Sequence, residues 1–340
     1  MSIPYRTRQN LKHLAIGLLI LAVVGSIALS LWFVWLQRFV VYTRESGAVL
    51  DFQMESLPLN GQEALPDEET MEIEIYYNEG DDKVTMSTEL AQLNGYVVDA
   101  ATMIRKPQDT WETIQKLPVG TPILLDVKSI LGNFYYTTNT GRPLSEAADI
   151  AGMDDLITKL RSSGYYTIAR VPALRDREYG LNNTRAGLPT SGGYLWMDSE
   201  GCYWLNPSKE DTITYLMRIA TELREMGFNE VLFSDFCFPD TSKIIFNGDK
   251  VLALSETAQT LVSSCATEYF AVSFVSDGSW TPPSGRSRIY MENISDPTKL
   301  GSIAQSVVLT NPSVRLVFLT GNMDTRFEEY GVMRPVNLAH

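Results

Sequence analysis

Short apolar runs that end in a polar residue recur along the chain from about residue 93 onwards. They occupy residues 96–98, 122–125, 166–169, 230–233, 269–275, 288–291 and 314–319. Fully apolar runs of this length are typical of parallel strands that are buried on both faces. Helical spacing separates several of them, at residues 153–161, 209–226, 254–268 and 297–308. The clearest is 209–226, which acidic residues open and Gly227 closes.

This alternation predicts a parallel α/β fold, either a closed barrel or an open sheet. No glycine-rich phosphate loop follows the first predicted strand, which disfavours a dinucleotide-binding sheet. We therefore expect a (β/α)8-type TIM barrel over residues 93–340. Seven strands are evident, and residues 331–336 are the remaining candidate for the eighth, so an incomplete barrel stays open as an alternative.

The hydrophobic pattern near the N-terminus is different, because residues 14–36 contain no charged residue. As a helix this segment would span roughly 35 Å, enough to cross a bilayer. The basic tail at residues 1–13, with Arg6, Arg8 and Lys12, predicts a cytoplasmic N-terminus and an extracytoplasmic remainder. A cleaved signal peptide is the alternative, since residues 26–28 resemble a small-residue cleavage site.

Composition and charge define the region that follows. Residues 43–92 contain thirteen acidic residues and only Arg44 and Lys83 as bases, which predicts a solvated linker, with a strand candidate at residues 71–77. The chain has a formal net charge of −13, and residues 1–42 contain no acid. Phosphate backbones would be repelled by so acidic a domain, so nucleic acid is disfavoured as a partner, whereas uncharged sugars are not.

The counts of histidine and cysteine restrict the chemistry further. The two histidines, His13 and His340, lie near the chain ends, and three cysteines are too few for a disulfide framework. Histidine-dependent triads and histidine-rich metal sites are therefore not expected in the folded domain. With no nucleotide, haem or metal motif, we predict no cofactor and assign acid–base chemistry to carboxylates, Lys or Tyr.

Active residues of a (β/α) barrel stand at the carboxyl ends of its strands. The predicted catalytic residues, all acids that follow apolar runs, are Asp126, Asp235, Asp277 and Glu292. The predicted substrate-binding residues are Lys128, Tyr136, Arg170, Trp196, Asp198, Trp204 and Trp280. Paired carboxylates are what glycoside cleavage requires, because one protonates the leaving oxygen and the other attacks or activates water. Asp99 also follows a predicted strand, and caps or loop packing are the alternative roles of all these side chains.

Several stretches carry a family resemblance over roughly residues 93–320. They read LLDVK at 124–128, GNFYY at 132–136, YTIARV at 166–171, RD at 175–176, LWMD at 195–198, WLNP at 204–207 and GFNEVLFSDFCFP at 227–239. Through these stretches the chain resembles the putative glycosyl hydrolase domain family, bacterial barrels distantly related to α-amylase-type enzymes. The resemblance implies a TIM barrel and activity on a glycan.

Two departures from the family pattern fall on the presumed site. The family's fourth-strand motif reads Phe-Asp-Tyr-Ile-Arg-Phe-Pro, and its Asp and Arg align with Ser234 and Cys237 here. The acid that usually follows Asp-Val-Lys is replaced by Ser129. Asp235 lies one position after the motif's Asp, which on a regular strand is the opposite face; a local bulge would return it to the mouth.

Three functions are consistent with these observations, and the third is an unrelated α/β function such as a receptor-like domain. The first is a membrane-anchored, extracytoplasmic hydrolase of cell-envelope or extracellular glycan. The second is a catalytically degenerate barrel that binds glycan or a protein partner without turnover. The side-chain direction of Asp235 relative to Asp126 is the feature that best separates these two hypotheses.

Overall fold

The computed structural model describes residues 89–336, the backbone of two short strands at 40–43 and 47–50, and Gly25 and Trp32. The two short strands, β1 (Val40–Thr43) and β2 (Gly47–Leu50), pair antiparallel and belong to a separate unit, residues 1–81. Most of the predicted membrane segment 14–36, the tail 1–13, the strand candidate 71–77 and most of the linker 43–92 lie outside the described residues. Within the described part of the chain, no helix has the length and hydrophobicity that a bilayer crossing requires.

Residues 89–336 contain a closed barrel of eight parallel strands. The strands are β3 (Asn94–Val97), β4 (Pro122–Asp126), β5 (Tyr166–Pro172), β6 (Glu230–Ser234), β7 (Ala271–Val275), β8 (Ile289–Glu292), β9 (Leu316–Leu319) and β10 (Gly331–Pro335). The chain closes the barrel by pairing β10 with both β9 and β3. The expected TIM barrel is thus confirmed, and the alternative of an incomplete barrel is corrected, because residues 331–335 supply the eighth strand.

Eight α-helices accompany the strands in the described barrel region. They are α1 (Ala100–Arg105), α2 (Pro107–Ile114), α3 (Ile150–Ser162), α4 (Arg177–Asn182), α5 (Glu210–Glu225), α6 (Lys250–Cys265), α7 (Leu300–Ser306) and α8 (Pro312–Arg315). Two 3-10 turns, Pro297–Lys299 and Thr325–Glu329, complete the set. Side chains cap several helices: the Asp99 carboxylate accepts from the Thr102 amide, which makes Asp99 a helix cap.

Alternating side chains of the strands form two apolar layers. Most of the core lies between the strands and the helices, whereas a smaller cluster, which includes Leu124, Ile168, Leu232 and Tyr290, fills the barrel interior. Because side chains alternate, the residues two positions further along these strands, at their carboxyl ends, also point inward. The fold thereby directs strand-end side chains into one mouth.

A buried polar network closes the opposite end of the barrel. The Arg288 guanidinium pairs with the Glu230 carboxylate, and both side chains are almost completely buried. The hydroxyls of Tyr166 and Tyr290 donate to the same carboxylate at 2.9 Å. Both of these buried charges therefore have a partner, as burial requires.

Candidate active site

Three charged side chains are in contact at the carboxyl ends of the strands, which form the mouth of the barrel. Asp126 ends β4 and lies opposite Arg170 of β5 in the strand register. Arg170 binds both carboxylate oxygens of Asp126, and its Nη2 lies 2.8 Å from Asp126 Oδ2. Its Nη1 contacts Glu292 Oε1, at the end of β8, at 3.3 Å. Arg170 therefore bridges two of the four predicted catalytic acids.

Asp235 reaches the same mouth through a break in strand geometry. Leu232 fills the barrel interior and Phe233 packs in the outer layer, so a continued strand would direct Ser234 inward and Asp235 outward. Instead, Asp235 has a φ of 49°, in the left-handed region, immediately after β6 ends. Its carboxylate interacts electrostatically with Arg170 and Glu292, which lie at the mouth. The Asp235 carboxylate therefore lies within electrostatic range of both side chains.

The Asp235 carboxylate has neither a hydrogen bond nor an ion pair at contact distance among the described residues. Desolvation raises its pKa above the usual aspartate value, although the nearby cations Arg175, Lys128 and Arg170 act in the opposite direction. A carboxyl group in such surroundings holds its proton more tightly than a solvated one. Asp235 is thus a titratable group in a site that otherwise consists of paired charges.

Glu292 has a raised pKa as well. Desolvation is the largest cause; Arg170 opposes it, and the negative charges of Asp235 and Asp126 add to it. Asp235 and Glu292 are therefore close enough for the charge of one to disfavour ionisation of the other. The ionised Asp235 thus disfavours ionisation of Glu292.

A ribbon formed by residues 187–205 stands over the mouth and is tied to it by Arg175. Arg175 Nε lies 2.6 Å from Asp198 Oδ2, and Trp204 Nε1 donates to the same oxygen at 3.0 Å. Desolvation favours a raised pKa at Asp198, but the Cys202 amide, Arg175 and Trp204 together hold the pKa below the usual aspartate value. Asp198 is therefore a fixed anion that anchors the ribbon. Trp196 is half-buried, with its ring 6.3 Å from that of Trp204.

Four predicted substrate-binding side chains are buried, with Trp204 among them at 8% exposure. Lys128 forms a fully buried pair with Asp176, at 2.8 Å. Tyr136 is also fully buried, against Phe134. Trp280, only 4% exposed, packs on Phe236 and Phe274. Their aromatic and basic character therefore serves packing and charge pairing in this structure.

Asp277 is set apart from the three acids at the mouth. It follows β7, and its exposed carboxylate accepts a hydrogen bond from the Ser279 amide, as in an Asx turn. Its charge acts on the thiol of Cys237. The structure thus brings Asp126, Asp235 and Glu292 together around Arg170 and leaves Asp277 on the rim.

Two further side chains, Arg175 and Tyr135, lie near the mouth. Arg175 interacts with Asp235 and holds Asp198. Tyr135 is half-buried near Asp126, whose charge adds to desolvation in raising the tyrosine pKa. Both lie in stretches that carry the family resemblance, which was the available signal, but their partners are distant in the sequence. Within the described residues, no group of His, Cys, Asp and Glu side chains is arranged to hold a metal ion.

Comparisons with known proteins concern the family and the fold of the chain. The family model described as putative glycosyl hydrolase domain matches residues 97–267. Among solved structures, a variant of the α-galactosidase AgaA from Geobacillus stearothermophilus, in complex with raffinose, is 12% identical, with a TM-score of 0.50. The match covers 73% of this chain and 39% of that one, so the chain spans about two fifths of that enzyme.

Two further structures have lower TM-scores. A hypothetical protein from Ruminiclostridium thermocellum is 18% identical, with a TM-score of 0.45, over 52% of this chain and 96% of that one. Ega3 from Aspergillus fumigatus, in complex with galactosamine, is 9% identical, with a TM-score of 0.45, over 75% of this chain and 96% of that one. No curated protein matches the sequence. The family match covers half of the chain and includes some of the strand ends that form the mouth. The chain therefore belongs to the putative glycosyl hydrolase domain family.

Proposed function

We propose that the barrel hydrolyses glycosidic bonds with Asp235 and Glu292 as its two working carboxyl groups. The observation that carries this proposal is the pair itself: two mouth carboxyls, each with a raised pKa, of which Asp235 has no contact partner. Glycoside cleavage needs one carboxyl group that still holds a proton and one that is ionised. The negative charge of Asp235 contributes to the raised pKa of Glu292, so one carboxyl group favours the protonated form of the other.

In the proposed mechanism, one carboxyl group of the pair protonates the leaving oxygen and the other attacks the anomeric carbon or activates water. Arg170 contacts Glu292 while both oxygens of Asp126 fix its guanidinium, so this ion pair positions one member of the carboxyl pair. Trp196, half-buried on the ribbon, offers an aromatic surface for a sugar ring. A net charge of −13 favours an uncharged glycan over an acidic one.

The test is release of reducing sugar from a panel of glycans by the purified full-length chain. Asp235→Asn and Glu292→Gln should each lower the rate by about a thousandfold, within the range usual for loss of an acid–base group. Asp277→Asn is the matched control, since Asp277 lies on the rim with an exposed carboxylate. Unchanged turnover in both mouth variants would remove the pair from the mechanism.

The second candidate function is glycan binding without turnover. It is favoured by Ser234, which ends β6 at the position that points inward and provides no carboxylate there. A serine hydroxyl cannot stabilise a developing cation as a carboxylate does. Saturable glycan binding by the wild-type chain, with no reducing sugar released from any member of the panel, would establish this function in place of hydrolysis.

We also propose that the chain is anchored in a membrane by residues 14–36, with the barrel extracytoplasmic and directed at cell-envelope or extracellular glycan. The support is the uncharged run of residues 14–36 and the basic residues before it. Protease treatment of intact cells that express the chain should digest the barrel region and spare an N-terminal tag. Recovery of an intact barrel in the soluble cytoplasmic fraction would contradict this proposal.

A further inference from the structure

A cavity lies against the ribbon formed by residues 187–205. Its volume is about 890 Å³, within the range of about 300–1,000 Å³ of small-molecule sites. One wall is the ribbon tip, the other is the segment 245–249 with the start of α6, and the floor lies at the start of α5. Neither Asp126, Arg170, Asp235 nor Glu292 lines it. The cavity is therefore a separate site.

Backbone hydrogen bonds hold the two walls in place. The Ile245 amide donates to the Pro189 carbonyl at 2.7 Å, which ties the walls together. At the ribbon tip, the amide and hydroxyl of Thr190 both donate to the Tyr194 carbonyl, at 2.7 and 2.9 Å. Gly193 provides the left-handed turn, with a φ of 78°. This tight turn leaves Tyr194 79% exposed at the cavity, so its ring is presented without a conformational change.

The cavity offers both hydrogen-bond donors and acceptors. Asn206 is nine-tenths buried at its floor; its Oδ1 accepts from the Ser208 amide, while its Nδ2 has no partner among the described residues. Glu256 on the α6 wall has an exposed carboxylate with no partner in the same described set. Asn206 Nδ2 can therefore donate to water or to a ligand in the cavity.

The charges around the cavity balance. The cations Arg185 and Lys209 are opposed by the acids Asp249 and Glu256, so neither an anion nor a cation is preferred. Ligand hydroxyls satisfy such a lining, because each can donate to a carboxylate and accept from an amide or a cation. The exposed Tyr194 ring and Leu252, 54% exposed on the opposite wall, suit the apolar C–H faces of a sugar ring.

From these features we infer that the cavity is a second carbohydrate site, which binds a neutral oligosaccharide segment of the polymer whose bond is cleaved at the mouth. This inference rests on the proposed function for the class of ligand. The ribbon joins the two sites, since Trp196 and Trp204 contact each other beside the mouth while Tyr194 and Leu195 line the cavity. A polymer held at both sites binds more tightly than a short substrate held at one.

The experiment is calorimetric titration of the full-length chain, carrying Asp235→Asn to prevent turnover, with neutral oligosaccharides of increasing length. Tyr194→Ala and Leu252→Ala, on opposite walls, should each weaken binding of the longer oligosaccharides by about tenfold, the effect of losing one stacking contact. Tyr269→Ala is the matched control: this tyrosine is 53% exposed and lies just before β7, at the other end of the barrel.

Equal affinity in the Tyr194→Ala, Leu252→Ala and Tyr269→Ala chains would overturn the inference, and so would the absence of any binding. Hydrolysis is measured separately, with the wild-type chain on the same oligosaccharides. A wild-type chain that releases no sugar, while Tyr194→Ala and Leu252→Ala still weaken binding, would refute the proposed hydrolysis and leave the second carbohydrate site supported.

Discussion

Arg170 grips both carboxylate oxygens of Asp126 and uses its remaining terminal nitrogen, Nη1, for Glu292. The two residues lie opposite each other in the register of β4 and β5, so the pairing of these strands places their side chains next to each other. A planar guanidinium that is held at two points has little freedom of orientation. The Asp126–Arg170 pair thus fixes the position of the positive charge that Glu292 contacts.

Breaking this pair should affect catalysis and stability together. In Asp126→Asn, an amide replaces one of the two oxygens that hold Arg170, and we expect a loss of about 1–2 kcal/mol in the free energy of unfolding. We also expect a fall in kcat, because Arg170 is released from its alignment with Glu292. Urea unfolding and steady-state kinetics measure the two effects. Arg170→Lys is the companion variant; wild-type behaviour in both would show that the bidentate geometry is not required.

Removal of the Asp235 charge should make the fold more stable at neutral pH. Its raised pKa means that the folded chain binds this proton more tightly than the unfolded chain, so stability falls as pH rises from the ordinary aspartate value of 3.8 through the raised value. Asp235→Asn removes this penalty and retains a residue that tolerates a left-handed φ. We expect a gain of about 0.5–1 kcal/mol at pH 7.

Thermal unfolding as a function of pH tests whether removal of the Asp235 charge stabilises the fold. The stabilisation by Asp235→Asn should be greatest above the raised pKa and should shrink as the pH falls towards 3.8. Asp277→Asn, which alters an exposed carboxylate, is the control. A mutant that is less stable than the wild type at pH 7 would show that the ionised Asp235 is a stabilising charge.

Cys237 can report the charge of Asp235 directly. Desolvation and the negative charges of Asp235 and Asp277 raise the thiol pKa to about 11, so the thiol is protonated and slow to alkylate near neutral pH. Asp235→Asn should lower this pKa and increase the rate of iodoacetamide labelling. Cys202 and Cys265 are buried, so Cys237→Ser should abolish most labelling of the folded chain. An unchanged rate in Asp235→Asn would place the two groups out of electrostatic range.

The closed end of the barrel should depend strongly on Glu230. Glu230→Gln leaves Arg288 buried without its counter-charge, which costs about 3–5 kcal/mol in comparable buried pairs. The matched control is Asp109→Asn, in a pair with Lys106 whose side chains are 68% and 62% exposed, for which we expect less than about 0.5 kcal/mol. Denaturant midpoints of the two variants give the comparison. Similar small losses in both would show that the buried network contributes little.

The positions of most barrel strands could be predicted from the sequence because buried parallel strands are apolar throughout. The run 122–125 corresponds to β4 (Pro122–Asp126), and 230–233 corresponds to β6 (Glu230–Ser234). The eighth strand (Gly331–Pro335) gave only a weak signal, since it combines Gly, Arg and Pro in five residues. Its strand conformation is fixed by pairing with β9 and with β3, and β3 is remote in sequence.

The geometry of the mouth was less accessible from sequence. The sequence rule of strand alternation directs Asp235 away from the mouth, and only its φ of 49° reverses that direction. Backbone angles outside the strand region depend on tertiary contacts that sequence periodicity does not contain. Similarly, Tyr136 and Trp280 have the composition of a sugar platform, but packing against Phe134 and Phe274 buries them.

The Arg175–Asp198 clasp has a consequence for how this fold can diversify. The clasp holds the ribbon at Asp198, away from the tip around Gly193 and Tyr194, so that tip can change in length or composition while the clasp stays in place. Relatives could therefore differ in the sequence of the ribbon tip while they share the same barrel. Grafting tips between such relatives would be a route to new saccharide preferences that spares the chemistry of the barrel.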